Sequence, residues 1–438
     1  MKFLLLLASA WALWRWRLPL RMRLYRRAAL LLARAGRDRA ALHLFNLAIQ
    51  DAPGDWLNYS ERAHLLFDME LDKDAFEDIA EAVRLGSDYP DDYELLGYLQ
   101  LTQGEPSEAA ATLTKVIKTW PGREDAYFFR GQAHLAMGNY KDALADYSAD
   151  LKLNPGRAEA VQGRLDCLLK LEQFGQAYEE AAAALKAKPE DEEYLAILLE
   201  AALGLKKSEE ALKLSNKLIA RSGYAAYAYD LRAEAYENLG RLEAALSDRL
   251  HVAELEPKSA VYWNALGLLH KRMENYSEAL QAYDTAVELE PGIDSLYFNR
   301  AIVWEELGMP DKALEDLSAA IRLNPGAADS FYSRANILLE QGETEAAEKD
   351  VDEAIRLSDR DPHAYYLRGS IREEKAQLRE AAEDYTKAIE LDPLYGPAYG
   401  RRGDIYFQLH EWDKAKADKA RAKQLGDGEA GSGEEQGA

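Results

Sequence analysis

The chain repeats itself every 34 residues across nearly its whole length, without an insertion or a deletion. Cut from Met22, it gives repeats starting at 22, 56, 90, 124, 158, 192, 226, 260, 294, 328, 362 and 396, the twelfth ending at Glu429. A fixed period between 20 and 50 residues marks an array in which each repeat buries its apolar face against its neighbours. The 438 residues therefore read as one array rather than two or three separate globular domains. Numbering slots 1 to 34 within a repeat, apolar positions spaced by three and four predict helices at about slots 2–14 and 18–31. The turn between them often contains Gly, as at Gly104, Gly138, Gly240 and Gly308, and Pro at slot 32 of eight repeats stops the second helix. Abundant Ala, Leu, Glu, Lys and Arg with little Val, Ile or Thr agrees with an all-α chain.

Slot 20 is Ala in all twelve repeats, and slot 8 is Gly or Ala in ten, among them Gly97, Gly131, Gly267, Gly369 and Gly403. Small residues at two fixed places require two backbones to approach closely there. Slot 4 is mostly aromatic, as at Tyr59, Tyr93, Tyr127, Trp263, Tyr297, Phe331, Tyr365 and Tyr399. With the period and the closing Pro, these residues resemble the tetratricopeptide repeat family from about Met22 to Glu429. The resemblance implies a right-handed superhelical solenoid of stacked helix pairs. It also implies a concave groove lined by the first helix of each pair at slots 2, 5, 9, 12 and 13, which binds peptides or proteins. Repeat 6 departs from the pattern, with Leu199 at slot 8 and no Pro, and is expected to pack less tightly or to bend.

Slots 7 and 23 vary together. Slot 7 is Arg in eight repeats (Arg62, Arg130, Arg164, Arg232, Arg300, Arg334, Arg368, Arg402), and in the same eight slot 23 is acidic (Asp78, Asp146, Glu180, Asp248, Asp316, Asp350, Asp384, Asp418). The other four carry Ala28, Leu96, Leu198 and Leu266 opposite Leu44, Thr112, Leu214 and Ala282. In a helix hairpin folded near slot 16 these two slots lie at about the same height, which predicts eight ion pairs that fix register.

Little in the sequence points to catalysis. Phosphate-cradling, zinc-hydrolase and serine-hydrolase strings are absent, Cys167 is the single cysteine, and the seven His are scattered. His134 and His270 at slot 11 read as packed histidines, and Glu305-Glu306 and Glu373-Glu374 as solvated faces. No enzyme activity, metal or cofactor is expected. Beyond residue 40 the chain carries 76 acids against 44 bases, a balance that opposes nucleic acid.

The groove slots change along the array. Repeats 2 to 7 place eleven acids and one base, Lys170, in thirty such slots; the acids include Asp91, Glu94, Asp125, Asp230 and Glu234. This enrichment fits a basic partner segment or a merely soluble acidic face. Repeats 9 to 11 place Phe298, Tyr332 and Tyr366 at slot 5, with Asn264, Asn299 and Asn336 nearby, a combination suited to an extended peptide. Some relatives in the family grip a C-terminal carboxylate with Lys and Asn. Here Asn299 matches, but Asn264, Leu268, Asp329 and Ser333 stand where the other groups are needed.

Residues 1–21 form an apolar and basic segment: Phe3 to Trp14 are apolar, followed by Arg15, Arg17, Arg21, Arg23, Arg26 and Arg27 among Trp16 and Leu18. The apolar run is short for a spanning helix, and the basic cluster behind it opposes translocation. Residues 1–27 are expected to hold the repeats at an anionic membrane on its cytoplasmic side, with a signal peptide and export, or a soluble N-terminal cap, as the alternatives. Residues 430–438 are expected to be a disordered tail. The sequence thus leads to a non-enzymatic protein- or peptide-binding scaffold, placed at a bacterial membrane, or to a regulatory or targeting adaptor of an envelope enzyme.

Overall fold

The computed structural model describes residues 22–221 and 225–426, so the expected anchor at 1–21 and tail at 430–438 lie outside the described residues. Twenty-four helices and no strand occur among the described residues. None of these helices is long and apolar enough to cross a membrane. The chain divides into two halves, Met1–Gly223 and Tyr224–Ala438. In the first half, first helices begin at 22, Trp56, Pro90, Glu124, Ala158 and Glu192, each followed by a second helix. In the second half they begin at Ala225, Ala260, Asp294, Ala328, Pro362 and Gly396.

An ordinary repeat runs over slots 1–13 and 17–30, as in Glu124–Ala136 and Tyr140–Leu153, one position ahead of the sequence reading. Where slot 32 is Pro it enforces this stop, although Thr344–Leu357, followed by Asp359 at that slot, ends at the same place. The residue before Pro is sterically kept out of the α region, and Asn154, before Pro155, already has φ −128 and ψ 80. Slot 15 turns the chain between the two helices in a left-handed conformation in every repeat. Gly occupies it in six, and Glu70, Glu172, Lys206, Glu274, Ala376 and His410 occupy it in the others at φ between 56 and 61.

The small slots carry the close approach. The slot-20 alanines of the first eleven repeats are fully buried. Slot 8 lies under the bulky slot 24 of its own repeat: a Cβ on Gly369 would stand 2.8 Å from the Tyr385 ring. The Tyr147 ring is wedged between two glycines, since a Cβ on Gly131 or Gly163 would stand 3.0 or 2.6 Å from it.

All eight Arg-acid pairs form, and each is bidentate. Arg334 Nε and Nη2 donate to Asp350 at 2.6 and 2.8 Å, and Arg402 donates to Asp418 at 2.7 and 2.9 Å. Arg62, Arg130, Arg164, Arg232, Arg300 and Arg368 do the same. In seven of the eight the guanidinium also faces the slot-4 ring of its own helix, with Arg368 5.4 Å from the Tyr365 centroid and Arg300 5.6 Å from that of Tyr297; beside Arg164 that slot is Val161. In seven of the eight arginines Nη1 reaches back to slot 25 of the preceding repeat. Arg62 meets Asn46, Arg130 Thr114, Arg164 Ser148, Arg300 Asp284, Arg334 Ser318, Arg368 Asp352 and Arg402 Thr386. One side chain therefore ties three helices. Where the pair is missing, apolar residues pack instead: Leu198 with Leu214, and Leu266 with Ala282.

Repeat 6 is the most apolar. Its first helix, Glu192–Gly204, buries nine positions, Leu199 completely, and slot 24 is the small Ser215, so the volume that a bulky slot-24 side chain fills elsewhere is filled here from slot 8. Its second helix, Ser208–Ile219, is shortened to 12 residues.

Candidate functional site

Arginines engage three of the inner-slot acids of the first half, Asp91, Glu94 and Asp125. Arg123 Nε donates to Glu94 at 2.9 Å, and its Nη2 meets both Glu94 and Asp91. Arg157 joins Asp125 to the buried Asp150, the latter at 2.9 Å. Arg123 and Arg157 both stand at slot 34, ahead of the next first helix. In the second half Arg249 plays the same part for Asp230 and Glu237, bonding Glu237 at 3.0 Å. Burial outweighs Arg249 and raises the carboxyls of Asp230 and Glu234 above the ordinary range. Asp91, Glu94, Asp125 and Asp230 thus have internal counter-ions, which weakens the field expected to draw a basic segment there.

The aromatic slots of repeats 9 to 11 lean on the core. Phe298 packs against the cluster containing Ala301 and Leu317, and Tyr332 against that containing Ala335 and Ile371. The contacts of the Tyr366 ring run to Tyr385 and Tyr395, with centroids 5.5 and 5.3 Å away. Of the amides, Asn299 donates to Asn264 at 2.9 Å, and Asn336 reaches Glu340 at 3.4 Å.

Three first helices of the second half, Ala328–Glu340, Pro362–Glu374 and Gly396–Gln408, enclose a cleft of about 640 Å³. Its walls come from slots 5, 6, 9, 12 and 13, nearly the set that the resemblance assigns to the groove. Tyr366, Leu339 and Leu367 supply apolar surface; Asn336, Ser370 and Gln408 supply neutral polar groups. The charged lining is Glu340, Glu373, Glu374 and Arg401. Glu373 accepts from the Tyr385 hydroxyl at 3.0 Å and lies 3.7 Å from Arg401 Nη1. Ser370 and the same hydroxyl are 3.2 Å apart. The cleft contains Asn336 and Tyr366 of the sequence-derived set. It also contains Glu373 and Glu374, read from sequence as a solvated face, and Arg401, which sequence reasoning missed. Their common signal is a place at slots 6, 12 and 13 of consecutive repeats.

A Ser, a His and an Asp do come together in the first half. Ser60 donates to Asp92 Oδ1 at 2.7 Å, His64 Nε2 lies 3.1 Å from the same oxygen, and Ser87 donates to Oδ2 at 2.5 Å. Both hydroxyls are given to the carboxylate rather than to the imidazole. The arrangement therefore satisfies a buried acid and does not activate a serine. Cys167 is fully buried, and burial pushes its thiol up to about 11. His270 is buried too, and its pKa is lowered by desolvation. No three His, Cys, Asp or Glu side chains among the described residues converge on a metal-sized site.

A family model described as tetratricopeptide repeat matches residues 94–158, 264–328, 307–365 and 332–393, and a second of the same description matches 135–201. The chain belongs to the tetratricopeptide repeat family. Two curated proteins match short stretches of the chain. An N-terminal acetyltransferase A complex subunit-like protein of Schizosaccharomyces pombe is 27% identical over 59 residues, 14% of this chain and 8% of that protein. A lipoprotein NlpI homolog of Haemophilus influenzae is 36% identical over 73 residues, 17% of this chain and 23% of the relative. The matches thus span less than a quarter of either relative. Among solved structures, the Cut9-Hcn1 assembly is 14% identical at a TM-score of 0.39, covering 92% of this chain and 86% of that one. MamA is 22% identical at a TM-score of 0.35, covering 36% and 94%.

Proposed function

We propose that this tetratricopeptide repeat chain is a non-enzymatic scaffold that holds a peptide or protein partner along its first helices. The observation that carries the reading is the division of labour among slots. Slots 4, 7, 8, 20, 23 and 24 are consumed by packing, whereas slots 5, 6, 9, 12 and 13 of repeats 10 to 12 converge on an open cleft with mixed amide, hydroxyl and charged groups. Apolar walls with a few converging polar groups are what an extended peptide requires, and repeat arrays spread such binding over several units. The proposal places the scaffold at the cytoplasmic face of a bacterial membrane through residues 1–27, whose Arg and Trp suit an anionic leaflet.

Pull-down with the full chain, with a variant lacking residues 1–21, and with a Tyr366→Ala/Asn336→Ala variant tests both halves of this reading. Partners lost with the double substitution support the cleft. A single catalytic protein recovered at equal stoichiometry makes the chain an adaptor instead. The full chain is expected to sediment with membranes and the truncated one to stay in solution; a processed form outside the cell overturns the location.

A further inference from the structure

The charged groups of the cleft are unevenly matched. Of its three carboxylates, Glu373 is engaged by the Tyr385 hydroxyl and by Arg401. Glu340 and Glu374 are exposed, and among the described residues neither has a Lys or Arg within ion-pair distance. The acidic character continues into the neighbouring repeat, where burial, then the Glu340 and Glu306 carboxylates, raise the carboxyl of Glu305. Leu339 and the buried Leu367 supply apolar surface to the same cleft as these two carboxylates and the Tyr366 ring.

We propose that this cleft seats a cationic side chain, arginine in preference to lysine, of an extended peptide laid across repeats 10 to 12, with Glu340 and Glu374 as its charge partners. The inference rests on the scaffold reading above and names the chemistry of the partner. A long basic side chain buries its methylene stem along Leu339 and Leu367 while its head reaches the carboxylates. A planar guanidinium also stacks on the Tyr366 face and forks onto a carboxylate, which a compact ammonium does neither as well. Gln408 and the side-chain oxygen of Asn336 remain to hydrogen-bond the peptide backbone, while Ser370 is held by the Tyr366 carbonyl and the Tyr385 hydroxyl. Arg401 is the counterweight: it is the one base in the lining, so it weakens a cation's hold without giving an acidic side chain a favourable site against three carboxylates.

The test uses the full chain and three eight-residue Leu-Ala-rich peptides, acetylated and amidated. Their central residue is arginine, lysine or citrulline, the last having the shape of arginine without its charge. Fluorescence anisotropy at 0.05 and 0.3 M salt reads the affinity, and thermal melts confirm that these surface substitutions leave the fold intact. The arginine peptide is expected to bind about tenfold more tightly than the citrulline one, the affinity lost with one charge-assisted contact. Glu340→Gln with Glu374→Gln is expected to erase that difference, and Arg401→Gln to tighten arginine binding about threefold. Equal affinity for arginine and citrulline peptides, both lost with Tyr366→Ala, overturns the charge assignment and leaves the scaffold standing. If no peptide binds, and partners recovered with the full chain also survive Tyr366→Ala with Tyr332→Ala and Phe298→Ala, both fail together.

Discussion

The hydroxyl of Tyr385 lies 3.0 Å from Oε2 of Glu373, so a residue of the second helix holds a carboxylate of the cleft from behind. It can do so because its ring crosses Gly369, where any Cβ would stand 2.8 Å away. The glycine at slot 8 thus has two effects, closing the repeat and letting the tyrosine hydroxyl emerge on the inner face. Replacing Gly369→Ala should destabilise the second half by about 1–3 kcal/mol through overpacking and detach Tyr385 from Glu373. Tyr385→Phe keeps the packing and loses only the hydroxyl, at about 1 kcal/mol. Urea unfolding of the two variants separates the terms, and equal losses would refute the steric account.

Arg334 and Asp350 behave as one unit with Ser318 of the preceding repeat. Arg334→Leu leaves Asp350 mostly buried without its partner and should cost about 2–4 kcal/mol. Leu at both positions recreates the Leu198-Leu214 contact that repeat 6 already uses, and should recover most of that loss. A double-mutant cycle checks this; if the double variant is as unstable as the single, the pair contributes more than register.

Much of this fold was legible because it is stated twelve times. The 34-residue period, the small slots and the joint variation of slots 7 and 23 placed the helix pairs and all eight ion pairs. The third arm of seven arginines was equally written: Asn46, Thr114, Ser148, Asp284, Ser318, Asp352 and Thr386 precede arginine repeats, whereas Ala80, Ala182 and Leu250 precede Leu96, Leu198 and Leu266. Its signal crosses a repeat boundary and so does not show within any single repeat. The cleft was only half legible. Tyr366 and Asn336 announced themselves by type, but whether Glu374 faces solvent or a cavity depends on three helices at once. The acids Asp91 and Asp125 looked free because their arginines, Arg123 and Arg157, stand 32 residues away, at slot 34, in the approach to the next helix.

Slot 15 offers a direct measure of stored backbone strain. Ala376 holds φ 58 where Gly342 of the preceding repeat holds φ 79. A left-handed residue with a Cβ costs about 1–2 kcal/mol, so Ala376→Gly should stabilise its turn and Gly342→Ala should weaken one, each by about 1 kcal/mol. Hydrogen exchange at the amides of the flanking helix ends reads the two turns separately, and shifts of the same sign would contradict the argument.

Arg123 neutralises Asp91 and the buried Glu94, so it governs how acidic the inner face of repeat 3 appears. Arg123→Gln should cost about 2 kcal/mol by leaving Glu94 uncompensated. The same change should raise the affinity of the first half for a basic peptide and make binding there more dependent on salt than in the parent chain. Affinity that does not change would mean that Asp91 and Glu94 are structural acids only.

Asp150 is fully buried, bonded to Arg157 through Oδ1, and has no partner for Oδ2. Burial is the dominant cause that raises its pKa from 3.8 to about 6, outweighing the attraction of Arg157. An acid whose pKa is higher in the folded than in the unfolded chain binds more protons when folded between those two values. Its contribution is therefore most favourable below about pH 4, is lost as the pH rises through about 6, and stays lost at pH 7. Asp150→Asn removes the titration and supplies an amide that bears no charge to desolvate. At pH 7.5 the variant should be the more stable protein, by on the order of 1–3 kcal/mol, and the gap should close towards pH 4. Chemical denaturation of both proteins across that range provides the check. A gap independent of pH would show that Asp150 is ionised at no net cost, with Arg157 supplying all the compensation it needs.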